Sequence, residues 1–140
     1  MSPVSSVSPV SARLTVCMIV RDEASILPRF LEAGRGLWDQ LAVLDTGSVD
    51  GTVDLLREAG ADLSECEWPG DFSVARNRSL ERADGDWVLV LDADEIVSPG
   101  FVAEVRALIS RPDVGAATVT MRNHFSTGHH RDSRLLRLFR

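Results

Sequence analysis

Residues 87–95 read WVLVLDADE, an apolar run that ends in three carboxylates, Asp92, Asp94 and Glu95. Val88, Leu89, Val90 and Leu91 have the unbroken apolar character of a strand buried on both faces, as in a parallel sheet. If the chain stays extended past them, Asp92 and Asp94 point to one side with Cα atoms roughly 6.5 Å apart. Two hard anionic oxygens aimed at one point suit a divalent cation such as Mn²⁺ or Mg²⁺, completed by substrate phosphates. The same letters also describe a solvated acidic loop that merely ends a strand.

A second group is DTGSVDGT, residues 45–52. Asp, Ser, Thr and Gly are what a tight turn and a helix N-cap require. The functional reading is that Asp45, held at a strand end, accepts hydrogen bonds from a nucleobase edge or a ribose. Gly47 and Gly51 would then let backbone and ligand approach closely. A third group is Arg76, Asn77 and Arg78 in DFSVARNRS. Arg78 reads as an ordinary surface arginine. Arg76 lies one helical turn from Phe72, at the edge of the inward face, where a guanidinium can contact a base or a diphosphate in planar, bidentate fashion.

Alternating helical and strand-like segments must position these groups. Leu14 to Val20 reads as a strand, and Leu27, Phe30 and Leu31 give one apolar face to a helix running to about Trp38. Pro28 falls in its first turn, where the missing N–H does no harm. Leu41 to Leu44 is a second strand. A short helix carries Val53, Leu55 and Leu56 and stops at Gly60. Ala61 to Glu67 is a short third strand. A helix from about Asp71 to Ala83 places Phe72, Ala75, Ser79, Leu80 and Ala83 inward, with Asp71 as N-cap. After the fourth strand, Ser98 and Pro99 suit the N-cap and first turn of a helix with Phe101, Val102, Val105, Leu108 and Ile109 inward. Ala116 to Met121 and Leu135 to Phe139 read as two more strands around a loop containing Gly128 and the only histidines, His124, His129 and His130. This order predicts an α/β fold with a mainly parallel sheet and helices on both faces. Ligands in such sheets sit outside the carboxyl ends of the strands. There the first strand delivers Arg21-Asp22-Glu23, the second Asp45, and the fourth Asp92 to Glu95.

The bulk composition sets outer limits. At 140 residues the chain fits one domain, and a net charge of −6 argues against nucleic-acid binding. Residues 1–13 are rich in Pro and Ser and read as a disordered tail, with no basic-then-apolar signal pattern. The apolar run from Leu14 to Val20 is too short to span a bilayer, so cytoplasmic placement is expected. Cys17 and Cys66 have no metal-type spacing and read as buried apolar residues. Every basic residue except the histidines is Arg. The absence of Lys removes phosphate-binding-loop ATPases and Schiff-base chemistry.

VCMIVRDEASILPRFL, LDTGSVDGT, WPGDFSVARNRSLERADGDWVLVLDADE and the closing RLFR together resemble the nucleotide-sugar half of a family-2 glycosyltransferase with the GT-A fold. The resemblance covers about residues 14–140, with several motifs in the expected order. It implies a Rossmann-like α/β/α sandwich that lacks the acceptor region normally found beyond the RLFR strand. It implies that Val20, Arg21, Asp22, Glu23 and Asp45, with Gly47, hold the nucleoside, and that Arg76 contacts the base region. Asp92, with Ala93 beside it on the nucleotide side, would face the ribose or the metal. Asp92 and Asp94 would ligate Mn²⁺ or Mg²⁺ bridging the diphosphate. The implied reaction is metal-dependent transfer of a sugar, with inversion, from a UDP-, GDP- or dTDP-linked donor to an acceptor of unknown identity. Electrostatics agree, because an acid-lined rim repels a diphosphate. At 4 Å two like charges cost about 4 kcal/mol at an effective dielectric near 20, and a divalent ion reverses that sign.

No residue is assigned as general base, and the histidines read as surface residues of a loop. A haloacid-dehalogenase-type phosphatase also carries Asp-x-Asp after an apolar strand, but on its first strand and with a downstream Lys. Sugar nucleotidyltransferases carry a Gly-rich basic loop after the first strand, which RDEAS is not. The remaining alternative is a truncated, non-catalytic nucleotide-sugar-binding module. Arg131, Arg134, Arg137 and Arg140 read as solvated edge charges, and also leave open contact with an acidic membrane surface or a partner, a second copy of the chain included.

Overall fold

A computed structural model describes residues 11–140. Most of the tail expected over 1–13 therefore lies outside the described residues. Arg13, at its end, is tied down: its backbone N–H donates to Asp86 at 2.8 Å and its guanidinium pairs with Asp84 at 3.0 Å.

Six strands form one sheet in the order β3-β2-β1-β4-β6-β5. They are β1 (Leu14–Val20), β2 (Gln40–Asp45), β3 (Asp62–Glu65), β4 (Trp87–Val90), β5 (Ala116–His124) and β6 (His130–Phe139). The first four run parallel, β6 is antiparallel to β4, and β5 pairs antiparallel with β6 at the edge. The expected α/β architecture with a mainly parallel sheet is thus the observed one. The helices are α1 (Leu27–Ala33), α2 (Thr52–Glu58), α3 (Phe72–Leu80) and α4 (Phe101–Ile109).

The period-2 alternation of the strands fixes what each face can hold. Leu14, Val16, Met18 and Val20 of β1, with Leu41 and Val43 of β2 and Trp87 and Leu89 of β4, form the main core with Leu27, Phe30, Leu56, Val105 and Ile109 of α1, α2 and α4. The alternate residues Thr15, Cys17, Ala42 and Leu44 are also buried, on the side where α3 packs against β1 and β2. Small residues at Ala75 and Ser79 let α3 approach closely. Gly85 is needed at the entry to β4, since a Cβ there would stand 2.7 Å from Thr15 Oγ1 and 2.8 Å from its backbone nitrogen.

Several boundaries differ from expectation for identifiable reasons. Helix α1 ends at Ala33 rather than near Trp38, because Trp38 folds back over Gly34 and stacks on Phe30 at 5.8 Å. Helix α4 does not use Ser98 as N-cap. Ser98-Pro99-Gly100 instead form a turn closed by the Phe101 N–H on the Ser98 carbonyl, with Gly100 at φ 88°. This is the type II pattern, with Pro second and Gly third. Asp71 caps α3 as expected, accepting from the Ser73 N–H at 2.7 Å. Phe72 does not point inward; it is 68 % exposed and packs edge-on against Trp68. The last two strands are longer than expected, so His124 and His130 face each other at the end of a hairpin and only His129 lies in the connection.

Candidate functional site

Strands β1, β2 and β3 proceed outward in one direction, and β4 returns to the other flank of β1. The strand order therefore reverses between β1 and β4, and a crevice opens there at the carboxyl ends. The loops leaving β1, β2 and β4 converge on it.

The β1–α1 and β2–α2 loops are bonded to each other. Asp22 Oδ1 accepts from the Val49 and Asp50 N–H groups at 2.8 and 3.3 Å, and the Asp22 N–H donates to Ser48 Oγ at 2.8 Å. The Glu23 N–H donates to Thr52 Oγ1 at 2.8 Å, and the Ala24 N–H to Asp50 Oδ2 at 3.2 Å. Asp22 is thus a latch between loops. Asp50, Ser48 and Thr52, which the sequence offered only as turn and cap residues, are its counterparts.

Asp45 is 3 % exposed. Its Oδ1 accepts from the Gly47 and Ser48 N–H groups at 3.0 and 2.9 Å, closing a turn in which Gly47 takes φ 115°. Its Oδ2 is buried and has no partner. The turn reading of DTGSVDGT is thus realised on Oδ1. Asp45 lines a cleft of about 540 Å³ together with Arg21, Gly47, Cys66 and Trp68. The Val20 side chain is buried in the core, and its carbonyl accepts from both the N–H and the hydroxyl of Thr46.

The acidic loop after β4 corrects the extended geometry assumed for it. Sheet pairing ends at Val90, and residues 92–95 form a turn closed by the Glu95 N–H on the Asp92 carbonyl at 3.0 Å. Ala93 is 1 % exposed and anchors the turn in the core, leaving Asp92 half-buried and Asp94 exposed. Glu95 belongs to neither ligand group. Its carboxylate accepts from the Asp92 N–H at 2.9 Å and forms a paired contact with Arg137 at 3.1 Å on each oxygen. Burial pushes the Glu95 carboxyl above its ordinary value, against the pull of its hydrogen bond from Asp92 N–H. Arg137, read as a solvated edge charge, is instead an internal strut.

Arg76 Nη2 stands 3.7 Å from Asp92 Oδ1, while Arg76 Nη1 is buried without a partner. Burial carries the Cys17 thiol up to about 11, with Arg76 pulling it back, so Cys17 is an inert core residue. Glu23 links the two sides of the crevice. Burial raises its carboxyl, and the charges of Asp94, Asp92, Asp50 and Asp22 raise it further. Asp92 and Asp94 also line a second cleft of about 890 Å³, bounded by α4 and β5.

Native proteins satisfy nearly all buried polar atoms. Among the described residues, the buried side-chain atoms without a partner are Asp45 Oδ2, Arg76 Nη1 and Trp87 Nε1. Two of these belong to residues that the sequence assigned to the nucleotide. The donor set around Asp92 and Asp94 fits a hard cation only in part. Among the described residues no three His, Cys, Asp or Glu side chains converge as a ready-made metal cage. Mg²⁺ is commonly held by one or two carboxylates together with substrate phosphates rather than by protein alone.

The glycosyl transferase family 2 model matches residues 15–139. The chain belongs to this family. It is 47 % identical over 129 residues to a TPR repeat-containing protein of Synechococcus elongatus, covering 92 % of this chain and 32 % of that protein. It is 31 % identical over 104 residues to the SPbeta prophage-derived glycosyltransferase SunS of Bacillus subtilis, covering 69 % of this chain and 24 % of SunS. The chain thus spans about a quarter to a third of the curated relatives it matches. Among solved structures it is similar to the mannosyltransferase PcManGT of Pyrobaculum calidifontis in complex with GDP-Man and Mn²⁺, at 25 % identity and TM-score 0.60 over 79 % of this chain and 36 % of that one. It is also similar to glucosyl-3-phosphoglycerate synthase of Mycobacterium tuberculosis in complex with Mn²⁺, UDP and glucosyl-3-phosphoglycerate, at 26 % identity and TM-score 0.60 over 76 % of this chain and 43 % of that one. These neighbours share its GT-A-type sheet.

Proposed function

We propose that this chain, spanning residues 14–140 as one domain, binds the nucleotide-sugar donor in a metal-dependent, inverting glycosyltransferase. The observation that carries the reading is the pair of orphaned buried atoms, Asp45 Oδ2 at the end of β2 and Nη1 of Arg76, whose guanidinium stands 3.7 Å from Asp92, in a family-2 fold. Neighbours crystallised with GDP-Man and Mn²⁺ or with UDP and Mn²⁺ support the donor class and the metal.

In this reading Asp45 and the latched loop of Val20, Arg21, Asp22 and Glu23 hold the nucleoside, with Gly47 giving the ligand room. Arg76 directs its free N–H groups to the base or diphosphate. Asp92, with Ala93 fixing its turn, and Asp94 hold Mn²⁺ or Mg²⁺. When bound, that ion offsets the charge of the diphosphate and of the departing group. The acceptor nucleophile attacks the anomeric carbon as the bond to the diphosphate breaks on the opposite side, so the configuration inverts and nucleoside diphosphate leaves. The acceptor's proton passes to a base that we assign to no residue of this chain. Cytoplasmic placement is part of the proposal; no helix among the described residues is long and apolar enough to cross a membrane.

Calorimetric titration with UDP, GDP and dTDP, each with Mn²⁺ and with a chelator, tests the reading. At least one nucleotide should bind only with metal. Asp94→Ala should remove that metal-dependent binding while circular dichroism stays unchanged, because Asp94 is exposed and outside the core. Unchanged affinity in the variant sinks its ligand role. Sugar transfer or donor hydrolysis by the same sample separates an enzyme from a binding module without turnover.

A further inference from the structure

Arg137 is the one residue of β6 without a partner in β5, because Leu136 pairs with Thr118 and Leu138 with Ala117. It is therefore the extra residue of a β-bulge. Bulges re-aim a side chain that strict alternation would send elsewhere, and they concentrate beside active sites. Here the guanidinium reaches the end of β4. Its Nη1 donates to the Val90 carbonyl at 3.2 Å and to Glu95 Oε2 at 3.1 Å, and its Nη2 donates to Glu95 Oε1 at 3.1 Å. Glu95 Oε2 in turn accepts from the Asp92 N–H at 2.9 Å. The last backbone bond from this segment to β1 is made by the Leu91 N–H, on the Cys17 carbonyl at 3.2 Å. Beyond it the turn of residues 92–95 has its own closing bond and the buried Ala93, but neither hydrogen-bonds it to another strand. The contact between Glu95 and Arg137 does.

From this geometry we infer that Arg137 is a positioning residue for the metal site: the bulge in β6 aims its guanidinium at Glu95, so that the turn presents Asp92 and Asp94 to a divalent cation in one fixed arrangement. The inference rests on the donor-site reading above and adds a residue that touches neither nucleotide nor ion. A cation that takes only one or two carboxylates from the protein, as Mg²⁺ commonly does, tolerates little wandering in them. Groups that hold metal-ligating side chains in place typically carry about 10- to 100-fold of the affinity. Arg suits this role by its shape. Its planar fork spans both oxygens of a carboxylate and still has an N–H for the Val90 carbonyl, whereas Lys offers a single charged centre. Both partners of the pair are mostly buried, so water does little to loosen it.

The test is calorimetric titration of UDP, GDP and dTDP into the 140-residue chain and its variants at one fixed Mn²⁺ concentration, with a chelator as blank. Arg137→Ala should weaken metal-dependent binding about tenfold or more. Ile109→Ala, which truncates the core at the far end of α4, should lose stability in urea yet keep the parent's affinity. Arg137→Lys keeps the charge without the fork, so it should regain stability and still bind several-fold more weakly than the parent. Parent-like affinity in either Arg137 variant overturns the inference and leaves the donor site standing, as does an equal loss in Ile109→Ala. If Arg137→Ala does not fold, Arg137→Lys measured against Ile109→Ala decides. A parent chain that binds none of the three nucleotides with Mn²⁺ overturns the donor site itself, and the positioning role with it.

Discussion

Among the described residues, Asp22 is the one non-glycine residue with positive φ, at 51°. Asp tolerates that region better than most side chains, and here its carboxylate is repaid with two backbone donors from the neighbouring loop. Next to it, Glu23 has a carboxyl raised first by burial and then by Asp94, Asp92, Asp50 and Asp22. The folded chain therefore keeps a proton that the unfolded chain has already released, between the ordinary glutamate range and the raised value. In that window stability falls as pH rises. Glu23→Gln removes this loss, so urea unfolding at pH values rising from the ordinary glutamate range should show the variant gaining on the parent. A gap that stays constant or narrows with pH would place Glu23 outside the acidic cluster.

At the scale of elements, the β4–α4 turn and β6 are one unit because Arg137 bridges Glu95 and the Val90 carbonyl. Both side chains are mostly buried, at 18 % and 15 % exposure. Arg137→Ala would strand a carboxylate there and should cost roughly 2 kcal/mol in denaturant unfolding, whereas Arg134→Ala, exposed three residues earlier, should stay within about 0.5 kcal/mol. Equal costs would refute the bridge. This pair also marks what the sequence did and did not disclose. Apolar runs and period-2 alternation made β1, β2 and β4 legible, and helical spacing did the same for α4, because those patterns are set by which face is buried. Arg137 and Glu95 lie 42 residues apart, and nothing local announces their contact. Asp45, Arg76, Asp92 and Asp94 were legible because strand ends and the α3 edge define the rim. The saturation of one Asp45 oxygen and the folding of Asp92–Glu95 into a turn depend on backbone detail that composition does not encode. Phe72 reads from its spacing as an inward helix-face residue, whereas it and Trp68 pack on each other outside the core.

Across the whole molecule, the four parallel strands and the β5–β6 hairpin are unequally supported. β1 is buried along nearly its whole length, whereas β6 joins β4 through only Val88–Phe139 and Leu89–Leu138, and the far half of the hairpin is exposed. Native-state hydrogen exchange should therefore be slowest in β1 and β2 and fastest at residues 122–132, where only pairing within the hairpin protects the amides. Uniform protection would contradict this division. The latch between the first two loops carries a different consequence, for transplantation. Since Asp22 supports backbone N–H groups of Val49 and Asp50, while Ser48, Asp50 and Thr52 support those of Asp22, Ala24 and Glu23, neither loop contains all the partners that hold its own shape. Grafting either one alone onto a related scaffold would carry over residues without their conformation. Only a chimera that exchanges both together would inherit their joint conformation.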